Sequence, residues 1–219
     1  MADRPYHHGH LRDTLLAQAG RTLREQGVEQ LSLRDLARQA GVSHAAPRRH
    51  FADRQALLDA LAGAGFARLA DEVAAAIADA GPDFRARLRA TGATYIRFAT
   101  EDPALMELMF TVKRAPASGE PSSGPDGVAA PGGVTLAGGV VVSGEVAAGA
   151  GRLFTIVGEL IREGQRTGQL PVGDPERLRL LFMAIARGIA ELVAPGQPGA
   201  GQSDDLLDDA VALFTGWSS

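Results

Sequence analysis

The sequence predicts an all-α chain of about nine helices, three short ones first and a larger helical body after them. Apolar residues recur at three- and four-residue spacing through most of the 219 residues, as one face of a helix requires. Ser and Asp stand where these runs begin, and Gly or Pro where they end, which is the start and stop chemistry of helices. Strand-like character is confined to VTLAGGVVVSGEV, where a hairpin about Gly138 and Gly139 is the alternative to a loop. The chain is long enough to bury a core unaided. It contains no cysteine, which excludes disulfides, thiolate metal sites and a cysteine nucleophile and suits a reducing compartment.

Taken in order, Leu11, Leu15, Leu16, Ala19 and Leu23 line one face of a first helix that Gly27 stops. Ser32 caps a second, carrying Leu33, Leu36, Ala37 and Ala40; Ser43 caps a third that runs to about His50. Only Gly41, Val42 and Ser43 connect these two, which predicts a helix-turn-helix, with Ala37 small enough for close crossing and Val42 filling the angle. A long fourth helix follows Asp53 and ends at Gly81 and Pro82. Two more are predicted over 84–100 and 103–112, the latter opened by Asp102 and Pro103. Residues 115–142, rich in Pro, Gly and Ser, predict a disordered loop. Helical spacing resumes over 145–168, again after Asp174 and Pro175 as far as Pro195, and finally over 204–216.

Charge divides the chain where the pattern does. The net charge of −4 separates into nine arginines against six acids in residues 1–54, and 13 basic against 20 acidic residues in the remainder. All five histidines, His7, His8, His10, His44 and His50, lie in the basic part. A basic head on an acidic body meets phosphate with one end only, as a DNA-reading module fused to something else would. The division predicts a flexible arm over 1–10, a DNA-binding domain over 11–60, and a separate acidic body over 61–219. The polar N-terminus and the lack of an apolar run of ~20 residues predict a cytoplasmic protein with no membrane partner. His7, His8 and His10 offer metal ligands, but an arm lying along DNA is the favoured reading because no ordered scaffold supports a site. Asp204, Asp205, Asp208 and Asp209 are read as complementing a helix dipole rather than binding Mg²⁺.

The segment LSLRDLARQAGVSHAAPRRHFADRQALLDAL resembles the N-terminal domain of the tetracycline-repressor (TetR) family, over residues 11–62. PYHHGHLR resembles one branch of it, and LFMAIARGIAEL is similar to a branch with a Trp-His-Gly signature, of which only Gly188 matches. A recognition helix needs short or hydrogen-bonding side chains at its leading end and cations beside the phosphates. His44 suits a base edge or phosphate, Ala45 and Ala46 suit thymine methyls, and Ser32 and Ser43 offer hydroxyl or backbone donors to phosphate. The resemblance implies that residues 61–219 are a ligand-binding and dimerisation domain, that Arg34 reaches a base or a neighbouring phosphate and that Arg54 clamps the backbone. Where most of the family has Leu-Tyr this chain has Pro47 and Arg48; Arg48 keeps a donor and adds charge, giving a more salt-sensitive phosphate contact. Arg49 stands between DNA contact and solvated surface, and His50 between phosphate contact and packing.

In the body, Phe98, Met106, Met109, Phe110 and Phe154 are candidates for a ligand pocket, with ordinary core as the alternative. Phe182, Ile185, Ile189, Leu206, Leu207, Val211 and Phe214 supply apolar faces for the dimer interface that the resemblance implies. No Gly-x-Ser-x-Gly elbow, phosphate loop or dinucleotide fingerprint occurs; GAGRLF lacks the third glycine and follows no predicted strand. Hence no catalytic residue, metal or cofactor is assigned. The expected function is a homodimeric repressor on double-stranded operator DNA, released by an unknown small-molecule effector. The rival is an all-α small-molecule-binding protein or enzyme without DNA binding.

Overall fold

The first helix, α1 (His8–Gln26), ends at Gly27, whose φ of 82° turns the chain into a short 3-10 segment, Val28–Gln30. Then α2 (Leu33–Gln39) begins at Ser32, whose hydroxyl accepts the Asp35 N–H at 3.1 Å, a cap worth about 1 kcal/mol. It closes in a Schellman motif: with Gly41 at φ 67°, Val42 N–H reaches the Ala37 carbonyl and Gly41 N–H the Arg38 carbonyl. After a 3-10 turn, Pro47–Arg49, come α3 (Arg54–Asp79), capped by Asp53, and α4 (Phe84–Glu101), capped by Asp83. They are followed by α5 (Pro103–Thr111), α6 (Gly144–Arg166), α7 (Pro175–Val193), with Asp174 as cap and Pro175 in its first turn, and α8 (Ser203–Gly216). This computed structural model describes residues 8–111, 134–135, 141–142 and 144–216.

The fold is all-α, with eight α-helices among the described residues. The hairpin alternative appears as a two-residue antiparallel ladder, β1 (Val134–Thr135) on β2 (Val141–Val142), with Val134 opposite Val142. The rest of the expected loop, residues 1–7 of the expected arm and the side chains of its histidines lie outside the described residues.

The ninth predicted helix is missing for a physical reason. A helix capped by Ser43 would put Pro47 at its fourth position, the first whose N–H must bond back to the cap's carbonyl. Proline has no N–H there, and its ring collides with that carbonyl, a cost of about 3 kcal/mol. One extra turn of helix returns less than that, because its nucleus is itself unfavourable. The chain instead places Ala46 as cap and Pro47 in first position. Ser43 O accepts from Ala46 N–H at 3.0 Å, and Pro47 O accepts from His50 and Phe51 N–H at 2.9 Å each.

The head is built around α3, a rod of about 39 Å at 1.5 Å per residue, whose N-terminal end packs with α1 and α2 and whose remainder enters the body. Leu15, Ala19, Leu23, Leu36, Phe51, Leu57 and Leu61 are buried there as one cluster. Two ion pairs bind α1 to the body: Arg12 to Glu145 at the start of α6, and Arg24 to Asp102. Within the body α3 and α6 cross backbone to backbone. A Cβ on Gly149 would lie 2.7 Å from the Gly63 carbonyl oxygen, so this crossing admits no side chain.

At the far side α4, α7 and α8 share a second part of the core, with Phe182 and Phe214 in tilted contact at 5.7 Å. The faces expected for the interface are largely occupied within the protomer. Phe182, Ile189, Leu207, Val211 and Phe214 are buried inside the protomer, and Ile185 and Leu206 are half-buried against the same core. Each amphipathic helix spends its wider apolar face on its own body. The large apolar side chains left in solvent on these helices are Leu180, Leu181, Leu192 and Leu213. Among the described residues no helix is long and apolar enough to cross a membrane.

Candidate nucleic-acid interface

The stretch from Ser32 to His50 presents a row of exposed groups on a buried base. Leu36, Ala37 and Pro47 are buried and fix it to the head; Arg34, Ser43, His44, Ala45, Arg48 and Arg49 are exposed, and Ala46 and His50 are half-buried. Arg48 and Arg49 are carried by the 3-10 turn, and His44 and Ala45 by the turn before it, so the leading end of the predicted recognition helix is a tight connection.

The partners of these side chains separate them. Arg34, Arg48 and Arg49 have no ion-pair or hydrogen-bond partner for their side chains among the described residues. Over residues 34–49 four arginines face one acid, Asp35, so this stretch is net positive. Arg38, by contrast, is paired with Asp35 at 2.9 Å. The Ser32 hydroxyl is fully employed, accepting from Asp35 N–H and donating to Asp35 Oδ2 at 2.7 Å, which leaves little for a phosphate. Ser43 has no such engagement of its hydroxyl.

Arg54 stands apart from the phosphate clamp that the resemblance implied. Its Nε donates to the Leu31 carbonyl at 2.9 Å and its Nη2 to the Val28 carbonyl at 2.6 Å. Charge-assisted hydrogen bonds contribute about 1.5–3 kcal/mol each when buried and about 1 kcal/mol at an exposed residue such as Arg54, so the geometry makes Arg54 a strut joining the start of α3 to the segment before α2.

In the body, Phe98 and Met109 are core; Arg68 lies over the Phe98 ring at 4.3 Å. Met106, Phe110 and Phe154 do border cavities. One, of about 410 Å³, is bounded by Met106, Glu107, Phe110, Arg187 and Glu191; the other, of about 140 Å³, by Phe110, Phe154, Arg179, Met183 and Arg187. Tyr95 borders both, and burial pushes its phenol up to about 12, so the side chain stays a neutral donor. The sequence reading missed Tyr95, Arg179 and Arg187 as cavity residues. The available signal was weak: Arg179 follows Glu176 by three residues, a spacing that usually marks a surface pair. The acidic run of α8 is engaged by Arg89, which pairs with both Asp204 and Asp208.

A helix, a Gly41 turn and a second cationic turn, displayed on a head fixed to a helical body, define a DNA-binding regulator of the helix-turn-helix class. Residues 15–61 match the bacterial regulatory proteins of the tetR family. Along its length the chain is similar to a protein of unknown function from Rhodococcus sp. RHA1, at 36% identity, covering 99% of each chain, with a TM-score of 0.78. A bacterial regulatory protein of the tetR family from Rhodococcus RHA1 shares the fold at 14% identity, covering 95% of this chain and 97% of its own, with a TM-score of 0.63. So does AibR, solved in complex with isovaleryl coenzyme A and operator DNA, at 17% identity, 94% and 98% coverage, and a TM-score of 0.57. No curated protein sequence matches it. The chain belongs to the TetR family of DNA-binding transcriptional regulators, and is a regulator rather than an enzyme.

Proposed function

We propose that the protein is a homodimeric repressor that sets its two α2-to-Phe51 segments in successive major grooves of a near-palindromic operator and leaves it when a small molecule occupies the body. The observation that carries the DNA side is the trio Arg34, Arg48 and Arg49, unpaired among the described residues and all on the helix-turn-helix, whereas Arg12, Arg24, Arg38 and Arg54 are held by the protein itself and Arg21, also unpaired, lies on α1. Phosphate neutralisation by such groups positions a protein on DNA, and His44 and Ala45 in the adjoining turn are the groups placed to read bases. AibR supports an effector site in this fold, since it takes both a small molecule and an operator.

The dimer is assigned to Leu180, Leu181, Leu192 and Leu213, which the protomer leaves in solvent on α7 and α8. Nothing in the packing calls for glycine at 188, where an added side chain meets no atom within 4 Å, so the reading extends to the family and not to the Trp-His-Gly branch.

Selection of bound duplexes from a random library tests this directly. The expected outcome is a palindromic consensus, bound by two chains with an affinity that falls steeply with salt. Failure of the purified protein to retain any duplex at low ionic strength overturns it. Sedimentation tests the dimer: Leu213→Glu should shift the molecule to a folded monomer, and an unchanged dimer removes these leucines from the interface.

A further inference from the structure

Arg179 carries an unsatisfied charge-bearing donor inside the body. It lies in the second turn of α7 with 7% of its surface exposed. Its Nε and Nη2 both donate to Glu176 Oε2, at 2.9 and 2.7 Å, and its guanidinium lies 4.4 Å from the centre of the Phe154 ring. Its Nη1 is sealed from solvent and has no acceptor. Native proteins satisfy nearly all buried donors, and a charged one is the most costly to leave open.

The setting of this donor narrows what would satisfy it. Arg179 borders the 140 Å³ cavity, whose other walls include Tyr95, Phe110, Phe154 and Met183, so the space beside it is apolar and aromatic. A second guanidinium, Arg187, borders the same cavity and lies 5.4 Å from the Phe110 ring centre. Among the described residues no carboxylate borders this cavity; Glu107 and Glu191 belong to the 410 Å³ one, which shares Tyr95, Phe110 and Arg187 with it. One end of the combined space therefore favours an anion, and the aromatic side chains and the larger cavity favour an apolar extension.

The geometry points to an effector that is an apolar carboxylate, which draws the Arg179 guanidinium toward the cavity so that Nη1 gains the acceptor it lacks, its aryl or alkyl body lying against Phe110, Phe154 and Met183 toward the larger cavity. This rests on the effector-released reading above and names the chemical class it would take. Arg187, with Glu191 accepting from its Nε at 3.1 Å, stands at the junction of the two cavities as a second cation for the same group. The neutral Tyr95 phenol is a further donor that an anion does not repel.

Calorimetry on the full-length protein with straight-chain alkyl and ω-phenylalkyl carboxylates, each beside its neutral primary amide, tests the proposal. The acid should bind at least about tenfold more tightly than its amide, a difference of one charge-assisted hydrogen bond. Arg179→Met should erase that preference, bringing acid and amide to equal affinity. A ¹³C-carboxylate probe should show a depressed pKa when bound to the wild-type protein, a readout that needs no variant. Equal affinity of acid and amide, an unshifted probe pKa, or no binding of any acid in the series overturns the assignment. A protein that binds its selected duplex but none of these acids retains the repressor reading and loses this one; acid binding without duplex binding does the reverse.

Discussion

Arg24 and Asp102 stand 78 residues apart in the chain and meet in a 3.2 Å ion pair that ties α1 to the joint between α4 and α5. Arg68 of α3 reaches the same Asp102 Oδ2 at 3.1 Å, so one buried carboxylate oxygen holds two elements of the head-to-body connection. The next residue, Pro103, borders the larger cavity. The head and the cavity therefore share a joint one peptide long, and a ligand that moves the start of α5 moves the partner of Arg24.

Asp102→Asn removes the charge from that joint. A fully buried pair broken on one side costs about 3–5 kcal/mol. Here both arginines are nearly half exposed and rehydrate, which reduces the expected loss to about 1–2 kcal/mol. Urea unfolding measures it, and amide exchange in the last turn of α1 should accelerate in parallel. An unchanged unfolding free energy would remove the joint from the account.

Pro47 sets where the second segment of the helix-turn-helix begins. Pro47→Leu restores the N–H that Ser43 O lacks as a helix-closing partner and supplies an apolar side chain for the buried site. The expected outcome is an α-helix over 44–50, seen as a gain in far-UV ellipticity and as slowed amide exchange at Pro47's successors. The same change should alter the operator consensus, because His44 and Ala45 move from a turn into a first helical turn. If exchange at these amides stays as in the parent, proline is not what limits the helix.

Arg54 and the pair Arg48 and Arg49 should respond in opposite ways to truncation. Arg54→Ala removes two hydrogen bonds to carbonyls and should lower stability by about 2 kcal/mol, with a matching fall in Tm. Arg48 and Arg49 have no side-chain hydrogen bond or ion pair among the described residues, so Arg48→Ala and Arg49→Ala should leave Tm within error. Each should instead reduce the salt slope of duplex binding by about one. Thermal melts and affinity measured across a salt series separate the two classes, and a normal melt for Arg54→Ala would return that residue to the DNA-facing set.

The extent to which these features were legible follows from how local each one is. Asp53, Ser32 and Asp174 are short-range caps, so the helices they start were readable to within a residue or two. Pro47 was visible, but its effect depends on counting from the cap, and only the position of Ser43 turns one proline into a lost helix. Phe182 and Phe214 were legible as apolar, but periodicity marks a buried face without saying whether this chain or a second copy buries it. Asp102, Arg24, Tyr95 and Arg179 draw their roles from partners on other helices, which no spacing along the chain reveals.

Tyr95 links the cavity to a measurable titration. With 4% of its surface exposed, the phenol is held above its ordinary value of 10.0, to about 12, by burial, against the opposing pull of the Arg187 charge. The folded protein thus keeps a proton that the unfolded chain releases, so the stability this group contributes is complete below pH 10.0 and is lost as pH rises toward about 12. Each unit of separation corresponds to about 1.4 kcal/mol. Tyr6 is the second of the two tyrosines, so a Tyr6→Phe variant leaves Tyr95 as the single phenol for an absorbance titration. Its midpoint should fall near 12 in the folded protein. Urea unfolding at about pH 9 and about pH 11 should show a decline that Tyr95→Phe abolishes; a phenol that ionises at its ordinary value would place Tyr95 in contact with water and open the cavity wall it is taken to form.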